Sequence, residues 1–129
     1  MIQRFIELGE GYSDLYELLE VARNNRHRVK HMMAYYSTKN EQQVASLAVV
    51  LEPTTPGDFQ PIYICREGIP NPHFKPNQRF DLFQQTAEEI GKKVIELDVQ
   101  PSTTFGEVAL YYSHLIGILR MNHYIAPLQ

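Results

Sequence analysis

Four stretches of this chain carry ligating or reactive residue types. Gly9-Glu10-Gly11 lies between a strand-like run and a helix-like run, where phosphate-binding loops also sit. The dinucleotide fingerprint needs a third glycine three residues after the second, and Asp14 stands there instead. Its carboxylate would repel phosphate, and no Gly-Lys-Ser/Thr triplet occurs. The spacing reads as a turn, and no cofactor is expected.

Arg23, Arg26, His27, Arg28, Lys30 and His31 form the one basic cluster. Its permanent cations have the charge to contact phosphates. Cations near a helix C-terminus are also favoured by the helix dipole alone. No aromatic residue is interleaved between Arg23 and His31 to stack bases, and the formal net charge of the chain is −3. Nucleic acid is therefore not the expected partner. His27 and His31 are four apart, a metal-ligand spacing on one helix face. Here the pair straddles a helix end, with cations between that oppose a metal ion. His73, His114 and His123 have no Cys, Asp or Glu at ligand spacing, so no metal is expected.

Cys65 is the lone cysteine, within Ile62-Tyr63-Ile64-Cys65. An apolar strand of this kind usually buries an inert thiol. A nucleophilic thiol would need a base, for which His73 in the following loop is the nearest candidate. Tyr63, Arg66, Glu67 and His73 are thus the candidate pocket residues. No catalytic motif is present, so no catalytic residue is assigned.

The elements that would position them follow from the residue pattern. Ile2 to Leu8 reads as a strand broken by Gly9-Glu10-Gly11. Ser13 is a candidate N-cap, and Leu15, Leu18, Leu19 and Ala22 fall at i, i+3, i+4 and i+7 on one helix face. Val29 to Ser37, Val44 to Leu51 and Gln60 to Arg66 read as three strands. The run Leu47-Ala48-Val49-Val50-Leu51 suggests a central position, and Pro61 confines itself to a strand beginning or an edge. Gly68 to Asn77 reads as a loop carrying Pro70, Pro72 and Pro76. Asn77 can cap a second helix with Phe80, Phe83, Ala87 and Ile90 on one face and Gly91 as its stop. Val94 to Val99 alternates as a half-buried strand. Thr104-Phe105-Gly106-Glu107 has the capping-box pattern before a last helix.

The order is β-α-β-β-β-α-β-α. Short adjacent strands favour an antiparallel three-strand meander, here within a mixed sheet packed by helices. The expected fold class is α+β, one domain over residues 1–129. A chain of 129 residues with 43% hydrophobic and 21% charged residues is long enough to build its own core. One cysteine excludes an intramolecular disulfide, and the reducing cytosol fits best. The N-terminus is too short and too charged for a signal peptide. The apolar run Val108 to Leu119 is too short to span a bilayer and contains Ser113, His114 and Gly117.

That last run has a second meaning. Val108, Ala109, Leu110, Tyr111, Tyr112, Leu115, Ile116, Ile118 and Leu119 cover nearly the whole helix circumference. Such a helix is central to its domain or shared with a partner, and a homodimer through it is the expectation.

The helix–three strands–helix–strand order resembles restriction-endonuclease-like nucleases. Those proteins carry an acid on the second core strand and an acid-x-Lys on the third, together holding a metal. Here the third run ends Cys65-Arg66-Glu67-Gly68, with no lysine two residues after Glu67, and Asp58 stands in the preceding loop. The topology matches where the motif does not, and fold alone confers no activity.

The opening Ile2-Gln3-Arg4-Phe5-Ile6-Glu7-Leu8-Gly9-Glu10-Gly11-Tyr12-Ser13-Asp14-Leu15-Tyr16-Glu17-Leu18-Leu19, with Tyr63-Ile64-Cys65-Arg66-Glu67-Gly68-Ile69-Pro70, resembles a small family of uncharacterised proteins from Bacillus-type bacteria. The resemblance extends over the whole chain and implies no established activity or binding residues. Some relatives bear the label methylthioribose kinase, but this chain lacks kinase motifs and is too short for that scaffold. The leading expectation is a cytosolic binding or interaction module acting as a homodimer. The alternative is a small-molecule enzyme or metal-dependent nuclease with an unrecognised site.

Overall fold

The core residues of the chain sort onto two faces of one twisted sheet. The computed structural model describes residues 3–8, 13–39, 41–55, 59–99 and 108–125; the side chains of 13, 14, 39, 66–68 and 108–111 lie outside the description. The Gly9–Gly11 turn, Asp58 and the 104–107 capping box are also outside it. The elements are β1 (Gln3–Glu7), α1 (Ser13–Asn24), a short 3-10 turn (Arg26–Arg28), β2 (Val29–Lys39), β3 (Gln42–Leu51), β4 (Gln60–Pro70), α2 (Gln78–Glu89), β5 (Val94–Asp98) and α3 (Val108–Met121). This is the α+β order expected from the sequence.

The described strands form a five-stranded sheet in the order β1-β4-β3-β2-β5. β2, β3 and β4 are the antiparallel meander. β1 joins β4 in parallel, and β5 joins β2 in parallel. The carboxyl ends of β1, β4, β2 and β5 therefore lie together at one end of the sheet. β3 is central, and its seven residues from Ala45 to Leu51 are buried.

Two helices cover one face. Leu15, Leu18, Leu19 and Ala22 of α1 and Phe80, Phe83 and Ala87 of α2 pack on Met32, Ala34, Tyr36, Leu47, Val49 and Cys65. Each fully buried Leu or Phe contributes about 1.5–3 kcal/mol, which is why the periodic positions dictate the helix faces. Asn77 caps α2 as expected, its Oδ1 accepting from Phe80 N at 2.8 Å. At the far end, Lys92 N donates to Ala87 O and Gly91 N to Glu88 O, with Gly91 at φ +77. That is a Schellman stop, and the left-handed φ is what calls for glycine.

The opposite face is covered by α3. Leu115 and Leu119 are fully buried against Met33, Tyr35, Ala48, Val50, Ile62 and Ile64. Tyr112 stacks on Phe5 at 4.4 Å between ring centroids, and its hydroxyl donates to Glu7. Ile116 and Ile118 are half-buried, and Met121 is 81% exposed. α3 extends two residues beyond the expected Leu119 to Met121.

One boundary differs from the sequence reading. β4 continues through Gly68 and Ile69 to Pro70, where a loop was expected from Gly68. Ala45 pairs with Ile69 but Leu47 pairs with Cys65, so two steps on β3 match four on β4. The bulge takes up the extra residues, and the strand resumes after it. Pro61 stands near the beginning of β4, before its pairing with β3 starts at Ile62.

Candidate functional site

The loop from Asn71 to Asn77 leaves β4 and lies across the carboxyl end of the sheet. Two asparagines hold it. Asn71 N donates to Gln43 O on β3 at 3.1 Å, and Asn71 O accepts from Phe74 N and Lys75 N. Asn71 Oδ1 accepts from His73 N at 2.9 Å. At the other end, Asn77 Nδ2 donates to Pro70 O at 2.9 Å and Lys75 O at 3.2 Å. With the loop backbone bonded at both ends, His73 reaches β5.

There His73 Nε2 lies 2.7 Å from Glu96 Oε1. The Tyr36 hydroxyl donates to the same Glu96 oxygen. Parallel pairing of Ala34 with Glu96 and of Tyr36 with Asp98 places Tyr36, Glu96 and Asp98 at neighbouring positions of the two strands. The imidazole meets the Tyr36 ring edge-on at 5.5 Å. The Tyr36 bond, and secondarily His73, hold the Glu96 carboxyl below its ordinary 4.5. Burial and then the Glu96 bond push the Tyr36 phenol well above its ordinary 10, so it stays protonated as a donor.

Around this triplet the surface is concave. Tyr36, Asn71, His73, Phe74, Glu96 and Asp98 line a cavity of about 250 Å³. On one side a cleft of about 290 Å³ shares His73 and Glu96 and reaches Lys93 and Phe80. On the other, a cleft of about 370 Å³ shares Asn71 and Phe74 and reaches Gln42 and Lys75. Phe74 is 73% exposed at the junction of two of these cavities. Together they form a crevice around the loop, at the end of the sheet where open α/β sheets commonly bind ligands.

Of the expected pocket residues, His73 stands in the crevice. Tyr63 is half-buried and packs against the α1–α2 core, away from the cavities just described. The Arg66 and Glu67 side chains lie outside the described residues. Cys65 is buried at 5% exposure in the same core. Tyr36, Asn71, Phe74, Glu96 and Asp98 had no sequence signal of their own as site residues, because three separate segments contribute them.

The basic segment serves packing. Arg23 donates to Glu89 at 3.3 Å and to Thr86 at 3.2 Å on α2, and Arg26 donates to Glu89 O at 3.3 Å. Arg28 clamps Glu52 O through two nitrogens at 3.2 and 2.8 Å, and Lys30 pairs with Glu52 at 3.8 Å. The cations thus meet the C-terminus of α2 and the end of β3, and not only the end of α1 as the sequence suggested. His31 lies 3.0 Å from Tyr124 O, beyond the C-terminus of α3. It does not share a helix with His27: one is in the 3-10 turn and the other in β2. Among the described residues no group of three or more His, Cys, Asp or Glu is placed to hold a metal. No described helix is long and apolar enough to cross a membrane.

No curated protein and no solved structure was found to match the chain. A family model, described as a domain of unknown function (DUF7147), matches residues 1–125. The chain therefore belongs to this DUF7147 family, which agrees with the uncharacterised family suggested by its opening and β4 segments.

Proposed function

We propose that this chain is a bacterial cytosolic binding domain that receives a small ligand in the crevice around His73 and self-associates through α3. The observation that carries the ligand site is the double anchoring of the Asn71–Asn77 loop, which holds His73 on Glu96 within a concave surface. A crevice whose polar groups are already positioned loses little entropy on binding. The α3 contact is supported by half-buried Ile116 and Ile118 and by exposed Met121 on a helix apolar around its circumference. The test for the site is ligand-observed NMR with a library of small polar fragments. Hits should be lost in Phe74→Ala, whose exposed ring can be removed without opening the core. Hits retained in that variant contradict the proposal.

A second reading rests on the same pair. With Nε2–H donating to Glu96, His73 Nδ1 carries the lone pair and has no hydrogen bond to a described residue. A carboxylate orienting an imidazole in a cleft is the arrangement of a general base. Under this reading a small-molecule substrate gives its proton to Nδ1, and His73→Gln stops turnover without loss of binding. The nuclease alternative gains no support, since β3 (Gln42–Leu51), the second strand of the meander, carries no acid at all.

A further inference from the structure

We propose that the ligand of the crevice is a small organic cation, a primary amine or guanidinium, seated between Glu96 and Asp98 beside the Phe74 ring. This rests on the reading of the crevice as a binding site. Several observations converge on it. Glu96 Oε1 receives both protein donors, Tyr36 and His73, so Oε2 is left without a hydrogen bond to a described residue. Asp98, two residues on and on the same strand face, has no hydrogen bond or ion pair to a described residue. Two residues along a strand put their Cα atoms about 7 Å apart with both side chains on one face. The two carboxylates therefore border the same cavity and can share one cation between them.

The wall completes the chemistry. Phe74 presents an exposed aromatic ring to the same cavity, and a ring face attracts a cation by its quadrupole. Lys93 borders one neighbouring cleft and Lys75 the other. Among the described residues no Lys or Arg lines the cavity of about 250 Å³ itself. Its volume falls just below the roughly 300–1,000 Å³ of ordinary ligand pockets, which suits one small cation better than a nucleotide.

The test uses the full chain labelled with nitrogen-15 and a panel of probes: agmatine, butylamine, N-acetyl-lysine methylamide, propionate and butanol. Agmatine and butylamine should shift the amides of His73, Phe74, Glu96 and Asp98 to saturation, and propionate and butanol should not. Asp98→Asn, which removes a charge but no hydrogen bond between described residues, should weaken agmatine at least tenfold. Tighter binding of the lysine derivative than of butylamine would assign the cation to a peptide side chain; weaker binding would assign it to a free amine. Propionate or butanol binding at these residues in place of the amines would overturn the cation while leaving the crevice a ligand site. Amine binding unchanged by Asp98→Asn would also overturn it. No shift at these residues with any probe would remove both readings.

Discussion

His73 and Glu96 meet at 2.7 Å across the carboxyl end of the sheet, although they stand 23 positions apart in sequence with the whole of α2 between them. Tyr36 supplies the second donor to that carboxylate. Removing the phenol hydroxyl in Tyr36→Phe should raise the Glu96 carboxyl toward its ordinary 4.5, because the Tyr36 bond is the main cause of its depression. A bond to a charged acceptor, discounted for a half-open site, sets the stability loss at about 1–2 kcal/mol. Carboxyl titration by carbon-13 NMR and urea unfolding check the two parts. An unmoved Glu96 titration would show that another group holds the carboxylate ionised.

Acid should destabilise the fold in two steps. His31 is held below its ordinary 6.5, mainly by burial, against the opposing bond to Tyr124 O. The unfolded chain therefore takes up that proton first as pH falls. The folded state's advantage is full above about 6.5 and is lost as pH drops toward the folded value. Glu96 is likewise depressed, so its contribution is full above about 4.5 and is lost as pH falls through its lower folded value. Both signs make stability fall on acidification. Urea midpoints across this range should show the upper step vanish in His31→Gln and the lower step shrink in Tyr36→Phe. A wild-type midpoint unchanged between neutral and mildly acidic pH would contradict the His31 account.

The helices were legible in the sequence because their signals are local. The spacing of Leu15, Leu18, Leu19 and Ala22 set the buried face of α1, and Asn77 and Gly91 set the limits of α2. The end of β4 was not legible, since Gly68 and Pro70 ordinarily mark a loop and only the bulge opposite Ala45–Leu47 lets the strand continue. Of the residues lining the candidate crevice, the sequence singled out one, His73. Tyr36 and Glu96 come together only through the β2–β5 register, and no local pattern encodes a parallel pairing of strands so far apart. Tyr63 looked equally suitable by residue type, but strand alternation turns it toward the α1–α2 core.

The cysteine offers a check on the packing of β4. Cys65 is 5% exposed within the core under α1 and α2. A thiol reagent should label it slowly in the native protein and rapidly in denaturant. Cys65→Ala should cost about 1–3 kcal/mol from lost transfer energy and the cavity left behind. Rapid native labelling would mean that this part of the sheet opens, and would return the thiol to consideration as a nucleophile.

Self-association through α3 should be visible at micromolar concentration. Sedimentation equilibrium is expected to give twice the chain mass, and Met121→Asp should shift the protein toward monomer without unfolding it, since that side chain is 81% exposed. A strictly monomeric wild type at high concentration would refute the dimer and leave the apolar surface of α3 serving the sheet alone.

The most direct test of the central claim is a crystal of the full chain soaked with a mixture of small polar fragments. The account predicts ligand density bounded by Asn71, His73, Phe74, Glu96 and Asp98, with the loop backbone in place as in the free protein. Density confined to other surfaces, with this crevice empty under the same soak, would contradict the assignment of the His73–Glu96 crevice as the binding site.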